Sequence, residues 1–338
     1  MIERIRKEMK EKEINCIILK NRFNKEWAIN KNITGYLFIT QQKTSIIASN
    51  AHRHEIGEFD ADFAASREEY QQLLKEKAEK ITGETKTDTE SEKLKELFDA
   101  EQTNIIQELR KIKTDKEIEK IKKACQITSK ALKNCRKTLF NGKNEYEAIN
   151  NIHNFYTENC VQDSFITNKS LTLVNANCLT AHAEPKKRTI QDKDLVIVDS
   201  GCRHQKYCSD ITRTYSKNPS QKQKKLFNDL KDIQQTILNK VEAGKNINKL
   251  VELRDKMAEE KGYDTRQHIL YSLGHGIGVQ VHEKPGLNRS NDEEIQEGMV
   301  LTIEPGLHVP GIGGVRIEDT ILVKENGCKI LSKANKEM

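Results

Sequence analysis

Apolar residues return every three or four positions along several stretches of the chain and elsewhere come in short unbroken runs, patterns that predict helices and strands respectively. Ile118, Ile121, Cys125, Thr128, Leu132, Cys135 and Leu139 form one stripe along a long helix. Just ahead of it, Thr114-Asp-Lys-Glu117 is a capping box: Thr114 accepts from a first-turn N–H and Glu117 reaches back. Asn144 with Glu147 caps a second helix running toward Tyr156. Leu226, Leu230, Ile233, Ile237 and Val241 mark a third, closed by Gly244, and a fourth covers Ile247 to Glu260 before Gly262. Strand-like runs are Leu171 to Val174, Leu195 to Val198, Ile211 to Tyr215, Met299 to Ile303 and Val315 to Val323.

The first hundred residues carry their own pattern. Ile2, Ile5 and Met9 fall at helical spacing, while Cys16 to Leu19 and Ser45 to Ser49 suit strands. Thr82 to Lys93 is polar and predicts an exposed loop. The capping box places a boundary near residue 113, with a small α/β domain over 1–113 and a second domain over 114–338. In the second domain helices and strands do not alternate strictly, which favours an α+β fold over a doubly wound parallel sheet.

Composition narrows the function classes. The 338 residues are 36% apolar and 32% charged, long enough for two domains with a sizeable core. No stretch approaches the roughly 18 apolar residues of a membrane helix. The opening MIERIRKEMKEKE is too charged for a secretory segment, so the cytoplasm is the expected compartment and no membrane partner is expected. The net charge of +6 comes with alternating Lys and Glu, the pattern of solvated helix faces, and argues against nucleic acid as a partner. Cys16, Cys125, Cys135, Cys160, Cys178, Cys202, Cys208 and Cys328 contain no C-x-x-C pair and are expected to be buried or half-buried reduced thiols.

Acids stand where a buried sheet should not tolerate them. Asp199 ends the run LVIVD, Glu304 ends VLTIE and Glu318 sits in VRIED, joined by Asp210 in SDITRT. An unpaired buried carboxylate costs several kcal/mol or so. An arginine could answer one; the set calls for concentrated positive charge. A metal pair supplies it, and four carboxylates with the imidazole of His275 in GHGIG suit Mn²⁺, Fe²⁺, Co²⁺ or Zn²⁺. Two such ions about 3.5–4 Å apart can share a water and lower its pKa toward neutrality. Asp-Ser-Gly201 and the residues after it predict a hairpin that sets Asp199 and Asp210 on neighbouring strands. Taken singly, a strand-end Asp is more often a turn or cap, and a His beside glycines a satisfied loop residue. Their joint occurrence in this order carries the reading.

In that order the segments resemble the pita-bread metallopeptidases: Xaa-Pro aminopeptidases, Xaa-Pro dipeptidases (prolidases) and methionine aminopeptidases. The resemblance lies in VDSGCRHQKYCSDITRT (198–214), GHGIGVQVHE (274–283), LTIEPG (301–306) and GVRIED (314–319). LRKIKTDKEIEKIKKA (109–124) is similar to the start of the catalytic domain in the Xaa-Pro branch, and NITGY (32–36) to a segment of its creatinase-type first domain. The resemblance implies two divalent ions per subunit, with manganese first and zinc, cobalt or iron as alternatives. Asp199 would hold one ion through both oxygens, Asp210 and Glu318 would bridge, and His275 with Glu304 would complete the second. Glu304 would also shuttle the proton from the bridging water to the leaving nitrogen. His182 in AHAEP and His282 would touch substrate and steady the tetrahedral intermediate; the alternative for His282 is a buried core histidine. Arg316 would orient Glu318 or meet a substrate carboxylate, or form a plain salt bridge beside the ligands.

The implied substrates are short peptides with proline at the second position, and the implied assembly is a homodimer. Two departures from the family pattern stand out: Gln280 replaces a common acid, and ASNAHRHE (48–55) replaces an Asp-x-Arg-Tyr pattern. The rival readings are a methionine aminopeptidase, which shares all five ligands, and a pita-bread binding module that has lost catalysis.

Overall fold

A computed structural model describes residues 1–81, 83–88, 92–164, 173–177, 179–180 and 183–338. The chain divides into two compact units, Met1–Arg110 and Lys111–Met338.

In the first unit, α1 (Ile2–Glu11), α2 (Arg22–Ile29), α3 (Arg67–Ala78), α4 (Glu92–Phe98) and most of α5 (Ile105–Lys111) accompany a mixed sheet. Its strands are β1 (Cys16–Leu19), β2 (Gly35–Thr40), β3 (Thr44–Ser49), β4 (Asp60–Ala64), β5 (Thr85–Thr87) and β6 (Ala100–Gln102), in the order β4-β3-β2-β1-β5-β6. All four residues of β1 are buried, as expected for a strand flanked on both edges. Cys16, Ile18, Phe38, Ile47, Leu74, Leu94 and Phe98 pack into one core.

The polar stretch predicted as an exposed loop is in part an inner strand. Thr85–Thr87 pairs parallel with both β1 and β6, and the side chains of Thr85 and Thr87 are buried. Asp88, also buried, accepts from the N–H groups of Lys20 (2.7 Å) and Asn21 (3.2 Å) and from Asn24 Nδ2 (2.9 Å). β-branched threonines suit a pleated strand without raising the apolar count, and so an apolar pattern misses them. Thr82 and residues 89–91 lie outside the described residues.

The second unit pairs its described strands entirely antiparallel, in several small sheets covered by helices, which is an α+β arrangement. Both predicted capping boxes form, at Thr114 ahead of α6 (Asp115–Thr138) and at Asn144 ahead of α7 (Glu145–Glu158). The α6 stripe is buried from Ile121 through Leu139; Ile118 is half-buried, and buried Glu117 accepts from Tyr207 Oη at 3.0 Å. β7 (Gln162–Asp163), β8 (Leu173–Ala176), β9 (Val196–Ser200), β10 (Cys202–His204), β11 (Tyr207–Cys208) and β12 (Ile211–Tyr215) follow. Leu171 and Thr172 of the predicted strand lie outside the described residues.

Next come α8 (Gln221–Leu238), α9 (Ile247–Glu260) and the single turn α10 (Thr265–His268). α8 stops short of Val241, which is buried beyond its end, and Gly244 serves the following turn instead, donating its N–H to Ile295 O. The last strands are β13 (Gly274–Gly276), β14 (Glu283–Leu287), β15 (Val300–Ile303), β16 (Gly306–Val309), β17 (Gly313–Arg316), β18 (Asp319–Val323) and β19 (Cys328–Ile330). The run predicted as one strand over 315–323 is therefore two. β17 pairs with β16, and β18 sits between β15 and β19 in a different sheet, because the chain changes sheets at Ile317-Glu318. Leu226, Leu230, Ile233, Ile237, Leu250 and Val251 pack with Leu301, Ile303, Val315, Ile317 and Ile321 in one core.

The seven described cysteines are unpaired. Cys16, Cys125, Cys135, Cys202 and Cys208 are buried and Cys328 half-buried, whereas Cys160 is exposed in the turn leaving α7. Cys178 lies outside the described residues. Among the described residues no helix is long and apolar enough to cross a membrane.

Candidate metal centre

The predicted hairpin sets the first two acids. β9 and β12 pair antiparallel with Asp199 opposite Thr212 and Ser200 opposite Ile211, so Asp210 lies at the entry of the strand beside Asp199. Between them β10 and β11 turn tightly at Gln205 and Lys206, both at positive φ (45° and 76°), as a two-residue hairpin turn requires.

The remaining groups arrive from the five-stranded sheet. Gly274, at φ 158°, brings β13 so close to β15 that a Cβ there would lie 2.1 Å from Thr302 O. That approach lets Thr302 Oγ1 accept from His275 N at 3.0 Å. The His275 ring donates from Nδ1 to Gly276 O (3.0 Å), which turns Nε2 toward Glu304 Oε1 at 3.3 Å and Asp210 Oδ2 at 3.7 Å. Glu304 follows β15, with its N–H bonded to Leu273 O. Glu318 occupies the joint between β17 and β18; its N–H goes to Thr212 O and its Oε2 accepts from Thr212 Oγ1 at 2.8 Å.

Ligand-type atoms converge in three overlapping groups, each within 4.8 Å: Asp199, Asp210 and Glu318; His275, Glu304 and Glu318; Asp210, His275 and His282. These groups could hold metal ions. The chemistry of the donors supports that fit. Asp199 Oδ1, Asp210 Oδ1 and Glu318 Oε1 are buried without a hydrogen-bond partner, which is costly for a carboxylate unless a cation answers it. Burial, and after it the repulsion of Glu318, Asp199 and Glu304, pushes the Asp210 carboxyl well above its ordinary range. Glu318 is raised likewise, by burial and then by Glu304 and Asp199. For Glu304 burial acts upward, but the bond to His275 and its charge outweigh it and bring the carboxyl down. For His275 burial acts downward and Glu304 outweighs it, raising the imidazole.

Arg316 is 3% exposed and donates from Nη2 to Asp199 Oδ2 at 2.5 Å and from Nε to Thr212 Oγ1 at 3.1 Å. Its guanidinium lies 5.4 Å from the centroid of the Tyr271 ring. His282 is exposed, its ring 4.3 Å from that of His275, so it is not a core histidine. His182 lies outside the described residues. The sequence reading passed over Thr212, which links Arg316 to Glu318. Its signal is the alternation in ITRT, which puts Thr212 and Thr214 on one face of β12, where Thr214 Oγ1 bonds the backbone of Arg316.

The sequence matches the family described as Metallopeptidase family M24 over residues 119–325. It is 34% identical over 238 residues, 70% of this chain and 67% of the relative, to the Xaa-Pro dipeptidase of Pyrococcus furiosus. The alignments to that relative and to the Pyrococcus horikoshii Xaa-Pro dipeptidase span about two thirds of the relatives' length. Among solved structures, an Xaa-Pro dipeptidase from Bacillus anthracis superposes with a TM-score of 0.88 at 30% identity, covering 100% of this chain and 98% of that one. The prolidase from Pyrococcus horikoshii gives 0.87 at 27% identity, covering 99% of each chain. The fold is thus the α+β pita-bread arrangement with a smaller unit ahead of it. A match over more than half of its length, on residues that gather buried carboxylates around a histidine, shows that the chain belongs to metallopeptidase family M24.

Proposed function

We propose that this chain hydrolyses the peptide bond between an N-terminal residue and a following proline, with two divalent ions held by Asp199, Asp210, His275, Glu304 and Glu318. The observation that carries it is the gathering of these side chains in a chain that follows an Xaa-Pro dipeptidase over its whole length. Likeness to prolidases extends through the first unit, which favours this reading over a methionine aminopeptidase. Donors intact at all five positions favour an enzyme over a binding module that has lost catalysis.

Bound ions would supply Lewis acidity, activating a water and polarising the scissile carbonyl. The donor set of oxygens with one imidazole suits Mn²⁺ first and Zn²⁺, Co²⁺ or Fe²⁺ as well. His275 donates from Nδ1 to a backbone carbonyl, which leaves Nε2 as the ligand atom and fixes the ring. Glu304 would take the proton of the attacking water and deliver it to the proline nitrogen, which has no N–H of its own. His282, exposed beside His275, would donate to the oxygen that gains charge, with His182 assigned the same duty by resemblance. Arg316 holds Asp199 in place and balances the carboxylates before ions bind. Assembly as a homodimer in the cytoplasm belongs to the same proposal and rests on the resemblance.

The test is hydrolysis of Ala-Pro, Ala-Pro-Ala and Met-Ala-Ser, each with defined Mn²⁺, Zn²⁺ or Co²⁺. Cleavage of Ala-Pro alone identifies a dipeptidase, and cleavage of Ala-Pro-Ala as well an aminopeptidase. Turnover confined to Met-Ala-Ser would overturn the proposal.

A further inference from the structure

Two consecutive acids meet opposite fates. Glu318 keeps a buried oxygen without a partner, whereas Asp319, 0% exposed, is saturated. Asp319 Oδ1 accepts from Arg213 Nη2 (2.8 Å) and Ser332 Oγ (2.6 Å); Oδ2 accepts from Gln234 Nε2 (3.3 Å) and pairs with Lys336 Nζ. The two side chains meet different groups: Asp319 opens β18 against Arg213, Ser332 and Gln234, whereas Glu318, in the joint ahead of it, accepts from Thr212. A carboxylate so fully occupied has no oxygen left for an ion.

The same groups grip the backbone of the proposed ligands. Arg213 Nη1 donates to Glu318 O (2.5 Å) and Thr212 O (2.8 Å). Its Nη2 and Nε donate to Ala334 O and its Nε to Asn335 O, at 2.7–3.2 Å. Gln234 Nε2 donates to Ile303 O and Ile317 O, each at 3.1 Å, the carbonyls just ahead of Glu304 and Glu318. Thr320 Oγ1 donates to Asp210 O at 2.8 Å. A polar layer thus underlies the carboxylates, and the segment Ser332–Lys336 closes it from the far side.

We infer that Asp319, clasped by Arg213 and by Lys336 of the 332–336 segment, is a positioning residue that sets Glu318 for metal binding. The inference rests on the metal reading above. Lys336 supplies the second cation to a buried carboxylate, and without it the segment loses its charged anchor and Arg213 loses the fixed carbonyls of Ala334 and Asn335. Glu318 then samples positions unsuited to a shared ion. Partners that orient ligands in this way change metal affinity by about 10–100-fold.

Mn²⁺ binding to the chelator-stripped full chain tests this by titration calorimetry, alongside amide hydrogen exchange over 316–320. Asp319→Asn is the direct variant; Lys336→Met is the milder one, since it leaves Arg213, Ser332 and Gln234 on the Asp319 carboxylate. Lys336→Met is expected to bind Mn²⁺ about tenfold more weakly and to exchange faster at 316–320, with Lys336→Arg restoring most of both. Ile233→Val, a core change in α8, is expected to lower stability while keeping wild-type Mn²⁺ affinity. Wild-type affinity in Lys336→Met, or an equal loss in Ile233→Val, overturns the inference alone. A wild-type chain that takes up no Mn²⁺ overturns the metal reading and this inference with it.

Discussion

Arg316 and Asp199, 117 residues apart in the chain, form a buried ion pair, with side chains only 3% and 10% exposed. Burial alone would depress the Arg316 pKa, but Asp199 and its neighbours outweigh it and raise it further. The arginine is thus a built-in partial answer to four crowded acids. Removing it takes away the guanidinium that pairs with buried Asp199 Oδ2. Arg316→Met should therefore destabilise the metal-free protein by about 3–5 kcal/mol. Urea unfolding in chelator measures this, and wild-type stability in the variant would show that another group balances Asp199.

Stability and activity should move in opposite directions at Asp210. Its carboxyl is raised by burial and by Glu318, Asp199 and Glu304, so the ionised group is a burden on the metal-free fold. Asp210→Asn relieves that burden and should stabilise the metal-free chain by about 1 kcal/mol. The same change should lower kcat/KM on Ala-Pro by about three orders of magnitude, since several kcal/mol of transition-state stabilisation are lost. Paired unfolding and kinetic measurements decide it. An active variant removes Asp210 from the site.

Gly274 separates a steric requirement from a conformational one. A Cβ there would meet Thr302 O at 2.1 Å, whereas at Gly142, also at positive φ (73°), it would meet nothing within 4 Å. Gly142→Ala should cost about 1 kcal/mol and leave Mn²⁺ binding alone. Gly274→Ala should push β13 from β15, displace His275 and weaken Mn²⁺ binding by about tenfold or more. Calorimetric isotherms of equal shape for both variants would count against the placement of His275.

The buried thiols predict alkaline instability. Burial raises Cys16 and Cys135 to about 12 and Cys202 to about 11, and it raises Cys125 and Cys208 as well. The unfolded chain loses these protons near pH 8.5 or so, while the folded chain keeps them. Their contribution is complete below that pH and disappears as pH climbs toward the folded values, at about 1.4 kcal/mol per unit for each thiol. Unfolding free energies measured between about pH 8 and pH 10 should fall steeply, and less steeply in Cys135→Ala. A flat profile would contradict the burial of these thiols. Within the native chain, Cys160 should react with a thiol reagent well before the buried five.

Local signals carried much of the fold. The span of α9 was legible because Gly262 stops an unbroken apolar periodicity, and the starts of α6 and α7 because each capping box is written in four adjacent residues. β5 was not legible, since Thr85 and Thr87 are polar and only their place between β1 and β6 makes them interior. Nor was the break within 315–323. Alternation reads the same on either side of a change of sheet, and pairing partners decide it. Proximity of the acids could be anticipated from their odd placement at the ends of apolar runs. That Arg316 faces Asp199 and is joined to Glu318 by way of Thr212 could not, because three segments must first be folded against each other.

The joint at Ile317-Glu318 makes residue count a functional constraint. β18 is locked to β15 with Ile303 opposite Asp319, and β17 to β16 with Gly306 opposite Arg316. The stretch from Arg316 to Asp319 therefore has a fixed length between two independent ladders. Deleting one residue there would either bring Asp319 into the place of Glu318 or slip β18 by one position on β15, which turns each of its side chains to the opposite face. Lengthening the turn between β18 and β19, at Glu325 to Gly327, leaves both ladders in step. Natural length variation should accumulate at such outer turns and be purged from those few central bonds.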